Sequence, residues 1–260
     1  MAAQLHSSMA DQTLVLSLDD AAHRNALGPE VYASGMEAMA LASRSADIGS
    51  VVITGTGTVF SAGGNLQRLQ ANRAHAPEVQ AQSIEALHQW IRAIANCPKP
   101  VIAAVEGAAA GAGFSLALAC DLLVAAEDAV FVMAYSTIGL SPDGGGSWSL
   151  AQALPRQLAT ELLMLGGRIG APRLHQLGVV NQVAAPGSAL DAALLLAQRL
   201  NARAPNALAS IKALSRQAAE LSLEQQLAQE SRHFVANLQH ANAGIGIAAF
   251  LAKARPKFGA

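Results

Sequence analysis

The residues best suited to chemistry in this chain lie in three glycine-rich segments, where backbone is freed from side chains. They are Phe60-Ser61-Ala62-Gly63-Gly64-Asn65, Gly107-Ala108-Ala109-Ala110-Gly111-Ala112-Gly113 and Gly139-Leu140-Ser141-Pro142-Asp143-Gly144-Gly145-Gly146. A glycine-rich turn that joins a strand to a helix leaves N–H groups unpaired at the positive end of the helix dipole, where an anion or a developing oxyanion can be held. One N–H from the first segment and one from the second, each about 3 Å from the same carbonyl oxygen, would form an oxyanion hole. The same small residues also permit close helix–strand packing with no chemistry at all. In the third segment Pro142-Asp143-Gly144 is a turn signature. Its carboxylate either caps a helix beginning near Ser147 or is free to act as a base.

Other motifs fit less well. Gly55 and Gly57 open a dinucleotide-type fingerprint that ends in Phe60 where a third glycine is needed, and no glycine segment ends in Gly-Lys-Ser/Thr. Gly113-Phe114-Ser115-Leu116-Ala117 resembles a nucleophile elbow, but that motif places its serine directly after a strand. Here eight residues separate Ser115 from Glu106. Of the seven histidines only His233 and His240 are close in sequence, and their spacing is not that of helical zinc ligands, so no metal site is expected.

Stepping out to the elements that must position these segments, short β-branched runs alternate with helical patterns. Strands are expected at Thr13 to Leu18, Ser50 to Thr54, Val101 to Glu106, Leu122 to Ala125, Ala129 to Met133 and Val179 to Val183. Ile84, Leu87, Ile91 and Ile94 mark one stripe of a helix that ends near Asn96, before Pro98 and Pro100. From Ala189 to Ala252 the pattern is helical throughout, with Pro205 suited to a first helical position and a capping box at Ser222 and Gln225. The expectation is an α/β core over 1–188 and a helical C-terminal region over 189–260.

Composition narrows the classes further. With 260 residues, 52% hydrophobic and 13% charged, the chain can bury a large core. Its 17 basic and 18 acidic side chains give no concentrated positive field, which argues against nucleic acid or anionic membrane as a partner. Cys97 and Cys120 are the only cysteines, so a disulfide framework is not expected and a cytoplasmic location is. The longest uncharged apolar stretch, from Gly107 to Cys120, is too short to span a bilayer. Met1 to Asp11 lacks the pattern of a secretory signal and reads as a frayed end.

Taken in order, Arg24-Asn25-Ala26-Leu27, the FSAGGN segment at 60–65, Pro98-Lys-Pro-Val-Ile-Ala-Ala-Val-Glu-Gly107 and Ala119-Cys120-Asp121 resemble the crotonase, or enoyl-CoA hydratase/isomerase, superfamily. The resemblance implies a spiral of ββα units with a C-terminal helical oligomerisation region, trimers or dimers of trimers, and an acyl-CoA thioester as substrate. It implies oxyanion donors at the N–H groups of Ala62 and Ala112. Contacts to coenzyme A or the acyl group are implied around Arg24, Ala26, Gly63, Gly64, Asn65, Leu66, Ser115, Tyr135 and Gly144, and from the tail residues Lys253, Arg255 and Lys257.

The departures from the family pattern bear on the reaction. Hydratases of this family use two glutamates, and those positions hold Ser115 and Tyr135 here; Asn65 stands in place of an aspartate. Neither Ser115 nor Tyr135 is a competent base near neutral pH without help. Asp143 lies in a sequence similar to the isomerase branches, including those acting on ring-derived acyl-CoAs of phenylacetate breakdown. The resemblance therefore implies an enolate-stabilising isomerase with Asp143 as its single base, needing no cofactor beyond the coenzyme A of its substrate. Alternatives are a hydratase or oxepin-CoA hydrolase-like enzyme with water activated by Asp143, and a CoA-thioester-binding subunit that has lost catalysis.

Overall fold

The computed structural model describes residues 3–259. Its strands are β1 (Gln4–Ala10), β2 (Thr13–Asp19), β3 (Ser50–Gly55), β4 (Val101–Val105), β5 (Ala108–Ala110), β6 (Leu122–Ala126), β7 (Val130–Val132), β8 (Arg168–Gly170) and β9 (Gln182–Ala184). Its α-helices are α1 (Pro29–Arg44), α2 (Leu66–Asn72), α3 (Pro77–Asn96), α4 (Ala112–Ala119), α5 (Gly146–Ala153), α6 (Arg156–Leu165), α7 (Ala171–Gln176), α8 (Ala189–Asn201), α9 (Pro205–Gln217), α10 (Leu223–Gln239) and α11 (Ala241–Leu251). A six-stranded sheet runs in the order β1-β2-β3-β4-β6-β9, parallel except for the β1–β2 pair, and a smaller sheet joins β5, β7 and β8.

The central strands are covered on both faces, which is why β3 and β4 read as unbroken apolar runs. Alternate residues face opposite ways. Val51, Ile53, Val101 and Ala103 join the main core with Trp90 and Ile94 of α3, whereas Val52, Ile102 and Ala104 pack against Ala193 and Ala197 of α8. Helix α8 therefore closes the back of the sheet, and the helical part standing clear of the core begins at Pro205 rather than at Ala189. Lys212 of α9 ties that part back: its Nζ lies 2.7 Å from Asp121 Oδ2 and donates to the carbonyls of Ile94 and Lys99.

Within the described residues, Gln4 to Ala10 correct the expectation of a frayed end at Met1 to Asp11, of which Met1 and Ala2 lie outside the described residues. Gln4 to Ala10 pair residue by residue with Asp19 to Thr13 through a tight turn in which Asp11 takes φ 52°. An unpaired β2 would present an open sheet edge, and β1 covers it. The strand expected at Val179 to Val183 falls later, at Gln182–Ala184, because Val179 and Val180 are spent closing α7 on the carbonyl of Leu174.

Helices α9 to α11 bury little of their apolar surface: Leu223, Leu227, Phe234, Leu238, Ile247, Phe250 and Leu251 are all exposed. What links them is polar. Asn237 donates to Ser210, Asn206 to Asn237, and Asn242 to Asn206 and to the Gly259 carbonyl.

Candidate active site

The glycine segments meet at the ends of β3 and β4. Ser61 donates its N–H to the Ala108 carbonyl and Ala110 donates back to Ser61, so the first segment extends the edge of β5. On its other side Leu27 donates to the Gly63 carbonyl at 2.7 Å and Ala62 to the Arg24 carbonyl at 2.9 Å. Asn25, buried and at φ 57°, holds this junction by donating to the carbonyls of Thr56 and Val59. Gly63 must be glycine twice over: its φ is +87°, and a Cβ there would lie 2.5 Å from the Ala110 carbonyl oxygen.

These segments line a cavity of about 560 Å³, within the range that holds a small-molecule ligand. Leu66, Leu69, Ile84, Ile138, Leu140 and Pro142 give it apolar walls, and Gln80, His88, Tyr135, Ser141, Asp143 and Ser147 are its polar members. Five backbone N–H groups of the first two glycine segments belong to residues lining it, and three of them are already spent. Ala62 donates to Arg24, Ala110 to Ser61, and Gly111 to Val132. Those of Gly64 and of Ala112, the first residue of α4, have no partner among the described residues. The expected donor pair of Ala62 and Ala112 is therefore corrected at its first member. The N–H left open in that segment is Gly64's, because the left-handed backbone at Arg24, φ 54°, turns its carbonyl onto Ala62.

Across the cavity stands Asp143. Its Oδ1 accepts the Tyr135 hydroxyl at 2.6 Å, and its carbonyl accepts the Ser115 hydroxyl at 2.9 Å. The side chain does not cap α5, whose N-cap is Gly145 without a side-chain bond. Burial pushes the Tyr135 phenol well above its ordinary range, and the Asp143 charge and hydrogen bond act in the same direction. Tyr135 thus stays a neutral donor that fixes one carboxylate oxygen. Ser115 is fully buried, and a Cβ on Gly146 would lie 2.4 Å from its Oγ. The Asp143–Gly146 loop occupies the space into which a longer side chain at 115 would project.

The remaining expected residues divide. Asn65 accepts the Arg68 N–H at 3.0 Å and is the N-cap of α2, while Leu66 beside it lines the cavity. Ala26 is buried under the first segment, Arg24 is exposed, and the Gly144 N–H is taken by His88 Nε2 at 3.3 Å. Lys253, Arg255 and Lys257 are exposed and are not brought to the cavity. The tail beside them seats Phe258 and Gly259 against Gln12, Gly49 and Lys99, at the opposite end of the parallel strands. His88 is the site residue the sequence reading missed. It stands one position beyond the Ile84, Leu87, Ile91 stripe, and only the close approach of the third glycine segment makes it part of a site.

The comparisons with known proteins accord with this architecture. The family model of enoyl-CoA hydratase/isomerase matches residues 9–260, and the chain belongs to that family of acyl-CoA enzymes. It is 34% identical to the 1,2-epoxyphenylacetyl-CoA isomerase of Escherichia coli K12 over 94% of either chain. It is 33% identical to the 2,3-dehydroadipyl-CoA hydratase of the same strain over 98% of either chain. Among solved structures, an enoyl-CoA hydratase from Polaromonas sp. JS666 superposes with a TM-score of 0.97 at 66% identity, covering 98% of this chain and 99% of that one.

Proposed function

We propose that this enzyme moves a proton within an enoyl-CoA thioester. The observation that carries the reading is the cavity in which two open N–H groups, Gly64 and Ala112, share walls with a carboxylate anchored through one oxygen. The thioester carbonyl accepts from both N–H groups, which makes the neighbouring C–H acidic and stabilises the enolate. The second oxygen of Asp143 takes the α-proton; the double bond migrates as the electron pair shifts, and the same carboxyl returns the proton at the γ-carbon. Atoms and charge balance without a second base, and the chain supplies every proton carrier in the route.

A hydratase reading has its own support in the similarity to the Polaromonas enoyl-CoA hydratase and the E. coli 2,3-dehydroadipyl-CoA hydratase. The absence of paired glutamates weighs against it, with Ser115 and Tyr135 at those positions and the Ser115 hydroxyl held on the Asp143 carbonyl. The proposal extends to a homotrimer or dimer of trimers closed over the apolar faces of α10 and α11. In such an assembly Lys253 and Lys257 would serve a neighbour's coenzyme A rather than their own chain's. The proposed location is the cytoplasm, where free Cys97 and Cys120 stay reduced.

The test is the product formed from 3-hexenoyl-CoA in D₂O. The isomerase reading expects 2-hexenoyl-CoA carrying deuterium, read by NMR and mass spectrometry. A hydroxyacyl-CoA formed from 2-hexenoyl-CoA, without double-bond migration from the 3-isomer, would favour the hydratase. Binding with neither reaction would favour a non-catalytic subunit.

A further inference from the structure

His88 faces the cavity from α3, and its Nε2 accepts the N–H of Gly144, the residue that follows Asp143. An Nε2 that accepts places the imidazole proton on Nδ1, which lies 4.0 Å from Glu85 Oε2 one turn away. Gly144 sits at φ +60°, packed on Ser115 and Leu87, so its peptide has little room to reorient while that bond holds. The carboxylate is thus fixed from two sides: Tyr135 holds its side chain, and His88 holds the backbone just beyond it.

Resting on the reading of Asp143 as the base, we infer that His88 is a positioning residue that holds Asp143 in register with the Gly64 and Ala112 donors. Its Nε2 lone pair is occupied, so its action runs through the loop rather than through the substrate. Glu85 and Arg92 of its own helix are paired with each other, and Tyr135 and Asp143 line the same cavity.

The experiment compares His88→Leu, His88→Gln and Asp143→Asn in the full-length protein. It reads turnover of 3-hexenoyl-CoA and hydrogen exchange at the Gly144 amide. The leucine variant should lose kcat by on the order of 10- to 100-fold, as small misplacements of a catalytic group do, with KM little changed. Glutamine keeps an acceptor near the Nε2 position and should recover most of that loss. Gly144 protection should drop in His88→Leu and persist in both His88→Gln and Asp143→Asn. Because protection is read without turnover, failure of the isomerase reading in Asp143→Asn remains distinguishable from failure of the anchor. Wild-type kcat and protection in His88→Leu would overturn the inference, as would a glutamine variant as impaired as leucine, which would make the imidazole itself a proton carrier.

Discussion

The two ends of this chain solve packing in opposite ways. Around the cavity the backbone is tied segment to segment: Arg24–Leu27 onto Ala62–Gly64, Ser61 onto Ala108–Ala110, and Ser115 onto Asp143. Helices α9 to α11 bury few apolar side chains, hold together through asparagines and leave Phe234, Phe250 and Leu251 to solvent. A site that must place donors and a base within fractions of an ångström is built on a rigid sheet end, while the C-terminal helices present an unfinished surface. The rigid site and the exposed apolar surface of α9 to α11 therefore belong to separable parts of one fold.

Lys212 is the main polar joint between them, and breaking it should have the largest effect on stability. Lys212→Met leaves the Asp121 carboxylate buried without its cation and should cost about 3–5 kcal/mol in chemical denaturation. Burial already raises the Asp121 carboxyl above its ordinary range, with Lys212 opposing that rise. Without the lysine, protonation of Asp121 relieves the buried charge, so the deficit of the variant should shrink as pH falls and widen as it rises.

Tyr135→Phe comes next. It removes a hydrogen bond to a charged group, worth about 1.5–3 kcal/mol, and kcat should fall by about 10- to 100-fold while the thioester still binds. Asn65→Ala removes the cap of α2 and should cost about 0.5–2 kcal/mol of stability, raising KM more than it lowers kcat because α2 carries Leu66 and Leu69 into the cavity wall. Smallest for the site itself should be Phe234→Asp, on the exposed face of α10. It should lower the molar mass seen by light scattering towards a single chain and leave the far-ultraviolet spectrum unchanged; an unchanged mass would remove Phe234 from the assembly face.

Both tyrosines of the chain, Tyr32 and Tyr135, are buried and have their phenols pushed up, first of all by that burial. Above about pH 10 the unfolded chain releases these protons while the native one retains them, so stability should fall with rising pH there. Phenolate absorbance should appear together with unfolding rather than before it.

The sequence made the parallel strands, the α3 stop before Pro98 and the capping box at Ser222 legible, because each rests on a local pattern. It hid β5 and β8, three-residue strands of Ala108–Ala110 and Arg168–Gly170, which carry no alternation and are defined by their pairing with β7 and, for β5, with Ser61. The three glycine segments and Asp143 were readable as a constellation. Which N–H stays open was not: that depends on the turn at Arg24 and on a bond between residues far apart in the chain. His88 was invisible for the same reason, since its partner is the backbone of a loop 56 residues away. The tail lysines carried the right chemistry for phosphate, but the strand direction puts the neighbouring tail residues at the far edge of the sheet.

That Asp143 carries the proton while the Gly64 and Ala112 N–H groups hold the thioester is the proposal on which the rest depends. It is tested most directly by the rate of α-proton exchange of 3-hexenoyl-CoA in D₂O, wild type against Asp143→Asn, with thioester affinity measured in parallel. Exchange is expected to fall by about 10²–10⁴-fold in the variant while affinity stays within a few-fold. Exchange that persists in Asp143→Asn at the wild-type rate would contradict it.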